Sequence, residues 1–212
     1  MRQLPFQKIL ALSPHTDDVE FGCGGTLHRL LQQGAEVHNA VFSLCEESVP
    51  KGLQKDVLLT EMNSAMQALG VSKENIHVFH YPVRRFDEHR QDILEELVKL
   101  RNDIQPDLVL TPSRSDIHQD HELIAREAVR AFRYQSILGY ELPWNNITFA
   151  AESLIELSPQ NVQAKIKAIA CYQSQAFRHY STAELFEYYA RLRGIQNKTD
   201  LSEAFEVIRL SL

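Results

Sequence analysis

Two short polar clusters hold most of the residues in this chain that are equipped for chemistry. The first is His15, Asp17 and Asp18, directly after the apolar run Lys8 to Ser13. A half-buried histidine beside two adjacent aspartates is costly, because carboxylates shed solvation poorly and repel each other. A divalent cation resolves both problems, and imidazole nitrogen with carboxylate oxygen is a ligand set that suits zinc and related ions. If one aspartate ligates, the other is free to hold a water and accept its proton. The competing reading makes Asp17 or Asp18 a cap for a helix near Gly25. The second cluster is Asp116, His118, Asp120 and His121, after the apolar run Leu108 to Thr111. Its H-x-D-H spacing aims one imidazole at a metal and the other at a substrate. Asp120, between them, is placed to hold an imidazole by its second nitrogen. A solvated helix start explains Asp120 and Glu122 but not two histidines, whose positive form is disfavoured there.

The elements that must position these clusters alternate. Strands are expected at Lys8–Ser13, Val37–Leu44, Ile76–Tyr81, Leu108–Thr111 and Ser136–Leu142, with an extended Ala151–Leu157 and a last strand near Ala204–Leu210. Helices are expected at Gly25–Gln33, Val57–Leu69, Phe86–Ile104, His121–Tyr134, Gln160–Tyr172 and Ala183–Leu192, with Gly34 and Gly70 as stops. The implied fold class is α/β: a doubly wound, Rossmann-like, mostly parallel sheet with helices on both faces, in a single domain over residues 1–212. In a 3-2-1-4-5 order, the first and fourth strands are neighbours where the order reverses, and both polar clusters follow those strands. The run Gly22-Cys23-Gly24-Gly25 fails the G-x-G-x-x-G spacing, because Leu27 stands where the third glycine belongs. These glycines read as close helix–sheet packing, with backbone N–H groups available to face the substrate. Cys23 reads as a small buried thiol rather than a fourth ligand.

The totals narrow the class of function. The chain has 212 residues, 44% hydrophobic and 24% charged, with a formal net charge of −6. That balance argues against nucleic acid or an anionic membrane as partner. No apolar run reaches the roughly 18 residues of a membrane span. The three cysteines are an odd count without C-x-x-C spacing, and the N-terminus lacks the pattern of a signal peptide, so a cytoplasmic protein with reduced thiols is expected. The segment from Pro143 to Ala151 and the C-terminal helices are candidates either to cover the sheet edge or to build a subunit interface in a homo-oligomer.

Taken together, the motifs resemble the LmbE-like (PIG-L) family of metal-dependent N-deacetylases. The matching residues are P-H-x-D-D-x-x-x-G-x-G-G at Pro14–Gly25, H-x-D-H at His118–His121, Tyr172-Gln173-Ser174-Gln175, and Glu203-Ala204-Phe205-Glu206-Val207. The resemblance implies that His15, Asp18 and His121 ligate Zn2+, with Fe2+ or Co2+ as alternatives. It implies Asp17 as general base, His118 as the group that polarises the carbonyl or protonates the leaving amine, and Asp120 as an orienting residue. Three protein ligands leave the open position of a catalytic site. Thr16 and Val19 depart from the commoner family residues, which bears on substrate preference.

The resemblance favours an N-acetylglucosamine-type sugar or conjugate as the small-molecule partner. Arg84 and Arg85, after the third strand, are candidates to hold a phosphate or carboxylate. Arg114, Asp116 and Trp144 are further substrate-binding candidates, Trp144 by stacking on a sugar. The rival readings are a metal-dependent amidase or deformylase acting on a non-sugar substrate, and a non-enzymatic nucleotide-binding module.

Overall fold

The computed structural model describes residues 1–50, 52–179 and 182–211. Seven strands form one sheet: β1 (Lys8–Ser13), β2 (Glu36–Val41), β3 (Ile76–Val78), β4 (Leu108–Pro112), β5 (Ser136–Tyr140), β6 (Ser153–Glu156) and β7 (Ser202–Arg209). Their order is β3-β2-β1-β4-β5-β7-β6. The first five are parallel, and β7 runs antiparallel to both β5 and β6. The expected reversal between β1 and β4 is therefore present.

Alternation along the strands explains why both faces are covered. Ile9 and Ala11 of β1 join one core with Leu27, Met62 and Ile169, while Leu10 and Leu12 join another with Ile93, Leu97 and Ile124. The first core lies under α1 (Asp18–Gln32), α2 (Val57–Leu69) and α5 (Pro159–Ile169), and the second under α3 (Arg90–Ile104) and α4 (Gln119–Ala131). The sixth helix, α6 (Ala183–Asn197), packs on β6, β7 and α5. A strand buried on both sides needs apolar residues at successive positions, which the near-continuous runs of β1 and β4 supply. Gly34 and Gly70 stop their helices with φ of 86° and 91°. Among the described residues, no helix is long and apolar enough to cross a membrane.

The largest departure from expectation is α1. It starts at Asp18 rather than at Gly25 and continues through the glycine run, with a kink at Cys23 (φ −143°). Glycine is a poor helix former, and close packing carries the helix through the run. A Cβ on Gly22 would lie 2.3 Å from the Tyr140 ring, and one on Gly25 would lie 2.7 Å from Leu157. The N–H groups freed near the kink do not face a substrate: Gly25 and Thr26 donate to the Glu203 carboxylate at 3.1 and 2.7 Å. Strands β2 and β3 end earlier than expected, at Val41 and Val78. The chain beyond β2 still follows β1, with Phe42 N–H bonded to Ser13 O at 2.9 Å.

Candidate active site

Both clusters sit at the carboxyl ends of β1 and β4, where loops leaving the sheet in opposite directions open a crevice. A cavity of about 370 Å3 lies there, lined by His15, Asp17, Asp18, Arg84, His118, His121 and Trp144 among others.

Three atoms converge at its floor. His15 Nδ1 lies 3.0 Å from His121 Nε2 and 3.4 Å from Asp18 Oδ2, and His121 Nε2 lies 3.3 Å from the same oxygen. Tetrahedral coordination with bonds of roughly 2.0–2.1 Å places neighbouring ligand atoms roughly 3.3–3.4 Å apart. The triangle therefore has the size of one face of a zinc-type shell. His15, His118 and His121 also keep one ligand atom each within 4.8 Å, a wider grouping.

The outer nitrogens of the two imidazoles are each held by a carboxylate. Asp120 Oδ2 meets His15 Nε2 at 3.0 Å, and Asp116 Oδ2 meets His121 Nδ1 at 2.8 Å. Each contact fixes which nitrogen faces the centre, an arrangement typical of metal-binding histidines. Asp116, a substrate candidate by sequence, lies outside the cavity lining and orients His121. It also accepts from His118 N–H at 2.8 Å.

The electrostatics follow from this crowding. Burial by itself would lower His121, but Asp18 and Asp116 lift it to about 10. Burial opposes a charged His15 too, and the hydrogen bonds to Asp120 and Asp18 raise it nonetheless. The carboxylates thus draw positive charge to the point where the three donor atoms meet. Asp17 is raised to about 6, first by burial and then by the Asp18 charge. It occupies the N-cap position of α1 without making a side-chain capping bond. The capping reading thus fails for Asp17, whose carboxylate lines the cavity.

His118 caps α4 instead: its Nδ1 accepts from Asp120 N–H at 3.2 Å. A neutral ring that accepts at Nδ1 carries its proton on Nε2. Burial, then the neighbouring His15 and His121, lowers His118 to about 4 and keeps it neutral.

The outer candidates separate. Arg84 lines the cavity from a left-handed backbone (φ 66°), its N–H donating to Asp120 Oδ2 at 2.6 Å. Non-glycine residues adopt this conformation at a cost, which functional sites often carry. Trp144 lines the same cavity. Arg85 is not in the lining and forks onto Glu88 at 2.8 and 2.7 Å. Arg114 is tied to Glu206, its Nε at 2.6 Å. Asn145, Gln175 and Arg178 also line the cavity, none of them a site candidate by sequence. Only Gln175 carried a signal, as the end of the Y-Q-S-Q motif.

The family model described as PIG-L, GlcNAc-PI de-N-acetylase, matches residues 10–132. The chain is 28% identical over 171 residues to the uncharacterized deacetylase YaiS of Escherichia coli (strain K12), covering 78% of this chain and 90% of that protein. It is 24% identical over 135 residues to the probable N-acetyl-alpha-D-glucosaminyl L-malate deacetylase 2 of Bacillus cereus, covering 58% and 60%. The solved N,N'-diacetylchitobiose deacetylase of Pyrococcus horikoshii superposes with a TM-score of 0.80 at 21% identity, covering 96% of this chain and 84% of that one.

Proposed function

Because the chain belongs to the PIG-L family of GlcNAc-PI de-N-acetylases, we propose that it is a zinc-type hydrolase that removes the N-acetyl group of an N-acetylglucosamine-type sugar or conjugate. The observation that carries this reading is the triangle of His15 Nδ1, Asp18 Oδ2 and His121 Nε2, with edges of 3.0 to 3.4 Å. Those three residues would hold the cation, and Zn2+, Fe2+ and Co2+ all suit one carboxylate and two imidazoles. When bound, a divalent cation lowers the pKa of water and draws charge from an acyl oxygen.

The chain's own residues supply the proton steps. Asp17, beside the triangle and raised toward neutrality, takes a proton from the attacking water. The water oxygen adds to the acyl carbon, and His118 Nε2–H donates to the developing oxyanion. The C–N bond then breaks as the nitrogen gains the proton that Asp17 took from water, releasing acetate and a free amine and restoring the Asp17 carboxylate. Asp120 and Asp116 keep His15 and His121 in the required orientation throughout. Arg84 reaches the same cavity and suits a carboxylate or phosphate carried by the sugar conjugate.

Metal analysis coupled to acetate release from N-acetylglucosamine, its phosphates and its glycosides tests the reading. Bound metal with acetate released is the expected result. Purified protein that neither binds a divalent metal nor releases acetate would overturn it.

A further inference from the structure

Phe21 stands one turn beyond Asp17 on α1, its N–H bonded to Asp17 O at 3.2 Å. Its side chain is buried, and Phe21 lines two spaces at once. One is the catalytic cavity. The other is an apolar hollow of about 30 Å3 beneath α6, bounded also by Leu157, Val162, Phe186 and Ala190. The ring is wedged between aromatic neighbours from both sides. Trp144, which lines the catalytic cavity, meets it edge-on at 5.3 Å, and Phe186, which lines the hollow, lies at 5.5 Å. Charged groups around the hollow are matched: Lys165 with Glu203 at 2.7 Å and Arg193 with Glu141 at 2.6 Å. Among the described residues, an apolar guest there would meet no unpaired charge.

We infer that Phe21 is the partition that limits the acyl group: its ring closes the catalytic cavity against the apolar hollow and keeps longer chains out. This rests on the N-deacylase reading above. Truncating an aromatic ring in such a setting opens a space on the order of 150 Å3, enough for a benzene-sized guest. A hydrophobic pocket discriminates about tenfold or more per methylene, so the acyl preference should move measurably.

The experiment compares N-acetyl-, N-butyryl- and N-hexanoylglucosamine as substrates for the wild type, Phe21→Ala, Phe21→Leu and Phe21→Trp. The wild type should favour acetyl. Phe21→Ala should raise the hexanoyl-to-acetyl ratio of kcat/KM about tenfold or more, Phe21→Leu should raise it less, and Phe21→Trp should not raise it. The ratio is taken within one preparation, so a partly unfolded variant does not distort it. Phe21→Leu carries the test if Phe21→Ala fails to fold. A folded variant that still releases acetate with an unchanged ratio would overturn the partition, as would a wild type that cleaves hexanoyl and acetyl equally. Calorimetric titration with hexanoate and acetate provides a readout without turnover, in which Phe21→Ala should gain about tenfold for hexanoate over acetate. Absence of hydrolysis in every variant strikes the deacylase reading, whereas hexanoate affinity unmoved by Phe21→Ala strikes the partition.

Discussion

Two pairs of histidines meet at nearly the same distance in this molecule. His15 Nδ1 lies 3.0 Å from His121 Nε2 at the mouth of the sheet, and His38 Nδ1 lies 3.1 Å from His77 Nε2 on β2 and β3. Their surroundings differ. The first pair is enclosed by Asp18, Asp116 and Asp120, and both of its imidazoles are pushed toward the protonated form despite burial. The second pair has Glu36 at 3.1 Å from His38, with that carboxylate half in solvent. His77 is lowered, by burial first and then by His38, with only Asp103 acting the other way. Two imidazoles in contact are therefore not in themselves a cation site. The number and burial of the carboxylates around them decide whether positive charge collects there.

Several substitutions would break or sharpen this contrast. The largest effect is expected at Asp17, the proposed proton acceptor beside the first pair. Asp17→Asn should lower kcat by about 10²- to 10⁴-fold while metal content, read by elemental analysis, stays at the wild-type level. Wild-type turnover in that variant would remove Asp17 from its role as base. Next comes Asp116→Asn, which leaves all three residues of the triangle in place but weakens the hold on His121. Chelator competition should show metal affinity reduced about 10- to 100-fold. Unchanged affinity would mean that the carboxylate around the first pair does not tune it.

His77→Ala supplies the contrast. It should leave metal content and acetate release within about twofold of wild type, since surface and edge positions away from a site act weakly. A loss of metal there would erase the distinction between the pairs. The smallest effect is on stability. His77 has a folded pKa below its unfolded value of roughly 6.5, so the stability it contributes is present above that value. It is lost as pH falls through the lower folded pKa, because the unfolded chain binds the proton more readily. Urea unfolding at a series of pH values should therefore show a shallower loss of stability on acidification in His77→Ala than in the wild type.

Much of the site was legible because each key residue adjoins the strand that positions it. His15, Asp17 and Asp18 follow β1 within five residues of Ser13, and His118 to His121 open α4 after β4. Short spacing limits where such side chains can go. The glycines of α1 are packing positions, as their spacing implies, yet the helix begins at Asp18 rather than Gly25. Propensity is local, while the Tyr140 and Leu157 contacts that require those glycines come from β5 and the segment after β6. Asp116 illustrates the opposite limit. Its type and neighbourhood suit a substrate contact as well as a histidine partner, and only the turn before α4 aims it at His121 Nδ1. Arg85 and Arg114 look equivalent to Arg84 in sequence, but Glu88 and Glu206 claim them. Arg178 and Asn145 reach the cavity from loops after α5 and β5, where no periodicity marks them.

The sequence by itself determined the alternation of strands and helices, and it determined the donor types available after β1 and β4. Those follow from nearest neighbours and hydrophobic period, which are properties of the chain alone. Tertiary structure decided which nitrogen of each imidazole faces the centre, which carboxylate binds the other, and which arginine reaches the cavity. The pairing of His15 with Asp120 and His121 depends on groups about a hundred residues apart being brought within 3.0 Å. Laying β1 beside β4 in the folded sheet achieves that approach.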